Sequence, residues 1–229
     1  MKTLYLMCGL SFSGKTTLAR KIVERLQCSY ISLDDINAER GLWGGDGMAV
    51  EEWERSHALA RERLAIWMIS GKDVVVDDVN NLRWLRDRWR AAASSSCYST
   101  VVIYLGIPYT KLVARRRANQ VIAERKGITE AVWAEHVSGF EPPGAGEHVL
   151  RYGLAEDAAS WVNGPLWHVK CRCGSAVARN YGWANPDSSN TTPYAPPDSA
   201  GRRHASKRDA SLAFRSRMPL SCRMSHTRI

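Results

Sequence analysis

The chain has 229 residues, enough for one α/β domain with its own core and an extension. Hydrophobic residues make up 45% and charged residues 24%, an ordinary globular balance, and no apolar run approaches the ~18 residues of a membrane span. The net charge of +9 is lopsided: residues 1–167 hold 21 Lys and Arg against 20 Asp and Glu, so +8 falls on residues 168–229. The basic balance therefore says little about the ligand of the first two-thirds. Six cysteines at irregular spacing do not read as a disulfide framework. The N-terminus lacks the pattern of a cleavable leader, so a reducing cytoplasm is the expected setting.

In chain order, Leu4–Cys8 reads as a short strand that runs into a glycine loop. Thr16–Gln27 has helical period, with Leu18, Ile22, Val23 and Leu26 on one face. Tyr30–Leu33 reads as a second strand, ending in Asp34-Asp35. Val50–Ser70 is an amphipathic helix with Gly71 as its stop. Asp73–Asp77 contains Val74, Val75 and Val76, which suits a strand buried on both faces. Leu82–Ala93 is helical, Thr100–Leu105 a further buried strand, and Tyr109–Asn119 a basic helix. Thr129–Phe140 is helical with Thr129 as N-cap. His148–Tyr152 and Ala155–Val162 supply a last strand and helix. This alternation predicts a parallel sheet of about five strands flanked by helices.

After residue 167 the pattern stops. Residues 185–200 are rich in Pro, Ser and Asn, and the remainder in Arg and Ser. The expected division is an α/β domain at 1–167 and a disordered basic tail at 168–229. The tail could meet nucleic acid through its charge, or be a non-native extension such as a frameshift would leave.

Gly9-Leu10-Ser11-Phe12-Ser13-Gly14-Lys15-Thr16 fits the P-loop pattern of Gly, four residues, then Gly-Lys-Thr, between a strand and a helix. Its chemistry follows from the residue types. The glycines let successive N–H groups point at phosphate oxygens, and the helix sets its positive end against the same anion. Lys15 neutralises β/γ-phosphate charge, and the Thr16 hydroxyl is a Mg²⁺ ligand. Ser11, Ser13 and Thr17 complete the phosphate-binding set.

Ligands of open parallel sheets sit at the carboxyl ends of strands, and two such ends carry paired acids. Asp34 is read as the base or acceptor-orienting group, with Asp35 and Arg40 beside the acceptor. Asp77 directly ends the valine run and is the candidate Mg²⁺ carboxylate, leaving Asp78 and Asn80 to face the acceptor. A basic stretch, Arg115-Arg116-Arg117 followed by Arg125-Lys126-Gly127, has the makings of a lid that neutralises the transferring group. Consecutive arginines on a helix cannot all face one ligand. Arg125, beside the flexible Gly127, is the favoured catalytic arginine, with Arg115 or Arg116 on the nucleotide.

Together the segments GLSFSGKTT, YISLDDIN, VVVDDVNN with Leu82–Arg90, LVARRRANQ with ERKG, and FEPP at 140–143 resemble the small P-loop kinases of the AAA_33 type. That group includes the 5′-kinase domain of polynucleotide kinase. The resemblance covers roughly residues 1–165 and implies the P-loop kinase fold with ATP and Mg²⁺. It implies that Asp34 is the general base, that Asp78 and Asn80 lie near the acceptor, and that Arg115 and Arg125 touch the nucleotide. One departure is Asn37, where polynucleotide kinase carries an arginine that helps hold its acceptor; the nearest arginine here is Arg40.

Smaller signals receive plain readings. Trp43, in a glycine-rich loop after Asp34-Asp35, either stacks on an acceptor or sits in a connecting loop. Trp53, Trp67, Trp84 and Trp89 read as core or helix packing. His57, on a charged helix, reads as a surface histidine, and Cys8 as a small buried residue. His168, Cys171 and Cys173 lack the spacing of a zinc site. The expected activity is γ-phosphoryl transfer from ATP to a hydroxyl of a small molecule or a nucleic acid 5′ end. The alternative is a nucleotide-binding regulatory or nucleic-acid-associated NTPase module.

Overall fold

The computed structural model describes residues 2–42, 48–122 and 127–166. The elements are β1 (Thr3–Cys8), α1 (Lys15–Leu26), β2 (Ser29–Ser32), α2 (Leu33–Glu39), α3 (Val50–Ile69), β3 (Val74–Asp77), α4 (Arg83–Ser95), β4 (Ser99–Leu105), α5 (Tyr109–Ile122), α6 (Glu130–Ser138), β5 (Val149–Tyr152) and α7 (Ala158–Trp161), followed by a π-helical turn at Val162–Leu166. The five strands form one parallel sheet in the order β2-β3-β1-β4-β5. β1 is central, pairing Leu4 with Val74 of β3 and with Thr100 of β4.

Alternation along the strands sorts the core into two layers. Leu4, Leu6, Val74, Val76 and Val102 face one side, against Ala60, Leu64 and Met68 of α3 and Trp89 and Ala93 of α4. Tyr5, Met7, Val75, Val101 and Ile103 face the other, against Leu18 and Ile22 of α1, Leu112 of α5 and Trp133 of α6. A sheet covered on both faces requires apolar residues at successive positions, and this is why β1, β3 and β4 read as continuous runs. The order also brings three strand ends side by side. The loop leaving β1 lies next to the end of β3, and β3 lies next to β2, so the phosphate loop and both acid pairs open on one edge.

The structure departs from the sequence reading in several places. Leu33, assigned to a strand, opens α2, because Ser32 is an N-cap whose Oγ accepts from Asp35 N–H at 3.1 Å. Asp34 and Asp35 therefore stand in the first helical turn, where acids suit the dipole. His57 is not a surface residue: it is 2% exposed, on the buried face of α3. Trp67 is 38% exposed, whereas Trp89 is core and Trp53 and Trp84 pack edge to face. The tail, Trp43, His168, Cys171 and Cys173 lie outside the described residues.

The 140–143 segment is structural in placement. Leu82 cannot cap α4 with its side chain, and the Glu141 carboxylate does so instead, accepting from Arg83 N–H at 2.7 Å. Phe140 stacks on Tyr104 of β4 at 6.0 Å between ring centroids.

Candidate active site

The loop between β1 and α1 is shaped by positive backbone angles. Gly9 has φ 155°, and a Cβ there would stand 3.0 Å from Leu105 O and 3.1 Å from Ser13 Oγ. Gly14 has φ 100° and is the N-cap of α1, with no side chain capping the helix. The first-turn N–H groups are thus turned to whatever occupies the loop. Ser13 is 2% exposed and its Oγ has no hydrogen-bond partner, a buried donor suited to an anion oxygen. Lys15 is buried, and its Nζ donates to Leu10 O at 2.9 Å within the same loop. Ser11 is buried, and Thr16 and Thr17 are exposed on the first turn of α1.

Arg115 comes to the loop from α5. One guanidinium nitrogen donates to both Phe12 O and Ser13 O, each at 3.1 Å. Arg116 does not join it: this side chain pairs with Glu130 at 2.8 Å and lies over the Trp133 ring at 5.3 Å. Successive helical residues point about 100° apart, which is why only one of the two reaches the loop. Arg125 lies outside the described residues.

A cavity of about 570 Å³ adjoins the loop on this side, lined by Thr17, Ile107, Asn119, Ile122, Tyr152 and Leu154 among others. The sequence reading missed the apolar part of this wall. The signal was available, because Tyr152-Gly153-Leu154 leaves the carboxyl end of β5, where ligands of such sheets gather.

In the sheet order the acid pairs lie at the ends of β2 and β3, on one side of β1, whereas Ile107 and Tyr152 of the cavity belong to the ends of β4 and β5 on the other. Asp34 and Asp35 are exposed. Asp77, 6% exposed, accepts from Tyr30 O–H at 2.7 Å. Asp78 is half-buried, and burial raises its carboxyl to about 6. The charges of Asp34 and Asp77 push the same way, while the Val79 N–H, 2.7 Å from Oδ1, and Lys15 push back. Asp34, Asp77 and Lys15 thus each lie within electrostatic reach of Asp78. Gly9 N–H donates to Val79 O at 3.1 Å, tying the phosphate loop to the Asp78 loop.

Two expected acceptor residues are placed elsewhere. Asn80 is fully buried, with φ 45°; its amide donates to Met7 O at 2.8 Å and accepts from Trp89 Nε1 at 3.1 Å. Arg40 is spent on α3, donating to Glu52 O at 2.7 Å and Ser56 Oγ at 2.6 Å and pairing with the Glu52 carboxylate. Asn37 accepts from the same Ser56 hydroxyl.

Among the described residues, no group of three or more His, Cys, Asp or Glu is arranged around a metal ion. Mg²⁺ in phosphoryl-transfer sites draws on one or two carboxylates together with phosphate oxygens and water. Exposed Thr16 and the carboxylate of Asp77 are donor types that fit this arrangement.

A parallel five-stranded sheet with this loop at the end of its central strand is a kinase-like P-loop fold. A family model described as an AAA domain, AAA_33, matches residues 4–143, and the chain belongs to that family. Over 66 residues it is 39% identical to a protein of Pyrococcus furiosus provisionally named adenylate kinase; the match covers 28% of this chain and 33% of that relative. The chain thus spans about a third of the curated relative it matches. Among solved structures, the adenosine phosphosulfate (APS) kinase CysC of Mycobacterium tuberculosis, in complex with AMPPNP and APS, superposes with TM-score 0.56 at 15% identity. That match covers 74% of this chain and 97% of the other. A gluconokinase of Sinorhizobium meliloti superposes with TM-score 0.55 at 18% identity, covering 75% and 94%. At these identities the likeness is one of fold.

Proposed function

We propose that the chain is an ATP-dependent phosphotransferase that moves the γ-phosphoryl group to the hydroxyl of a small molecule. The observation that carries the reading is the juxtaposition of the phosphate loop, with Lys15 and the open α1 N-terminus, and two acid pairs on adjacent strand ends. The loop amides and Lys15 hold the phosphates, with Ser11, Ser13 and Thr17 around them, and Arg115 fixes the loop that does so. Thr16 and Asp77 would hold Mg²⁺, which neutralises β/γ-phosphate charge when bound. Asp34 accepts the proton of the acceptor hydroxyl as its oxygen bonds the γ-phosphorus; the bond from that phosphorus to the leaving oxygen breaks, and ADP departs. Asp35 and Asp78 line the acceptor side. Arg125 is proposed to close on the transferring group.

The acceptor side supports a small molecule over a nucleic acid. It presents Asp34, Asp35 and Asp78, while Arg40, Arg55, Arg63 and Arg88 on the neighbouring helices are each engaged by a glutamate. Among the described residues, a polyanionic acceptor meets these acids and these paired guanidinium groups there. The AMP-like acceptor suggested by the adenylate kinase name is disfavoured on the same ground.

The test is transfer from γ-labelled ATP with Mg²⁺ in the wild type and in Lys15→Ala. Acceptors are gluconate, a panel of hydroxylated metabolites, AMP and a 5′-hydroxyl oligonucleotide. The expected result is labelled small-molecule product that disappears in Lys15→Ala. Nucleotide binding without product on any acceptor overturns the phosphotransferase reading in favour of a regulatory nucleotide-binding module.

A further inference from the structure

The Asp78 carboxylate has a polar neighbour on two sides. Its Oδ1 accepts from the Val79 N–H at 2.7 Å. Its Oδ2 faces His57 Nε2 at 3.9 Å, within ion-pair reach. His57 itself has little freedom. It is 2% exposed, and its ring packs 4.0 Å from Trp53 and 6.0 Å from Trp89, centroid to centroid. Trp89 is fixed in turn by Asn80, and Asn80 by Met7 O, two residues before Gly9. The chain Met7–Asn80–Trp89–His57–Asp78 thus links the strand that enters the phosphate loop to the carboxylate on the acceptor side.

An imidazole in an aromatic sandwich is an expensive filler, because burying its polar nitrogens costs free energy that Leu or Phe would not incur. Its Nε2 faces a half-buried carboxylate in the crevice. We propose that His57 is a positioning residue, which holds Asp78 in the one orientation that meets the acceptor. This rests on the phosphotransferase reading, in which Asp78 lines the acceptor side. In this reading His57 acts through Asp78 and not on the nucleotide or acceptor directly.

Three full-length variants separate positioning from packing. His57→Leu keeps the bulk and removes the N–H. His57→Gln restores a donor at a similar reach. Asp78→Asn removes the partner charge. The readouts are ATP turnover with water as acceptor, Kd for Mg·ADP, and the urea midpoint. Positioning predicts that His57→Leu lowers turnover by about 10-fold or more with Kd for Mg·ADP changed less than about 2-fold. His57→Gln then recovers most of the turnover, and His57→Leu adds nothing in the Asp78→Asn background. Equal losses in both His57 variants, Kd weakening in step with turnover, or multiplicative losses in the double variant each overturn the proposal. If the wild type does not hydrolyse Mg·ATP, the urea cycle decides alone; the phosphotransferase reading itself falls only if no acceptor of the panel above takes the label either. Non-additive midpoints for His57→Leu and Asp78→Asn then support the contact, and additive midpoints overturn it.

Discussion

Cys8 shows what the fold does to a single group at the edge of the site. The thiol is fully buried, donates to Asn80 O at 3.3 Å, and is pushed by burial up to about 12. The fold therefore favours the neutral thiol. That contribution is complete below the ordinary thiol value near 9 and is lost as pH rises from there toward 12. Iodoacetamide at pH 8, mapped by mass spectrometry, should modify exposed Cys97 and leave Cys8 untouched until urea is added; fast native labelling of Cys8 would contradict its burial. Asn80 holds the same corner. Asn80→Ala strands Met7 O and Trp89 Nε1 in the core and should cost about 2–4 kcal/mol in urea unfolding. The glycines and lysine of the phosphate loop were legible in the sequence because an anion cradle demands those residues at that spacing. His57, Arg40 and Asn80 were not, because their roles are set by tertiary neighbours. Arg40 is taken by Glu52 and Ser56 across a helix pair, and His57 by two tryptophans and a strand-end acid.

Helices with a long apolar stripe announced themselves by period, and α1, α3 and α4 fall close to where the pattern puts them. α2 did not, because seven residues give barely two turns of period. Its sequence signal is local chemistry, Ser32 followed by two acids, and that chemistry sets the site. Ser32→Ala removes the hydroxyl that accepts from Asp35 N–H and should cost about 1 kcal/mol of stability. Because Asp34 and Asp35 occupy the turn being capped, phosphoryl transfer should fall several-fold while Kd for Mg·ADP holds, since the proposed nucleotide site is built on α1. Equal weakening of nucleotide binding and turnover would show that α2 only stabilises the fold. The cap of α4 was beyond sequence reading altogether: Glu141 supplies it from 58 residues away.

At the scale of the whole molecule, the charge of the sequence is divided near the end of the described residues. Residues 1–167 are near neutral, and the last described turn, Val162–Leu166, packs Val162 and Leu166 into the layer that holds α1. Val162 and Leu166 are each at most 2% exposed. A chain cut after residue 167 should therefore keep the urea midpoint and the Kd for Mg·ADP of the full chain. It should lose what the +8 of residues 168–229 supplies, namely salt-dependent retention on a polyanion such as heparin or an RNA pool. The signature is specific: binding of the full chain to RNA should weaken steeply as salt rises, and the shortened chain should show neither the binding nor the slope. The sign of the charge difference dictates this independently of what the phosphate loop does. A shortened chain that aggregates or no longer binds Mg·ADP would move the domain boundary past residue 167. A shortened chain that still binds RNA with the same salt slope would place the polyanion surface on the kinase-like domain, and would reopen the nucleic acid 5′ end as an acceptor.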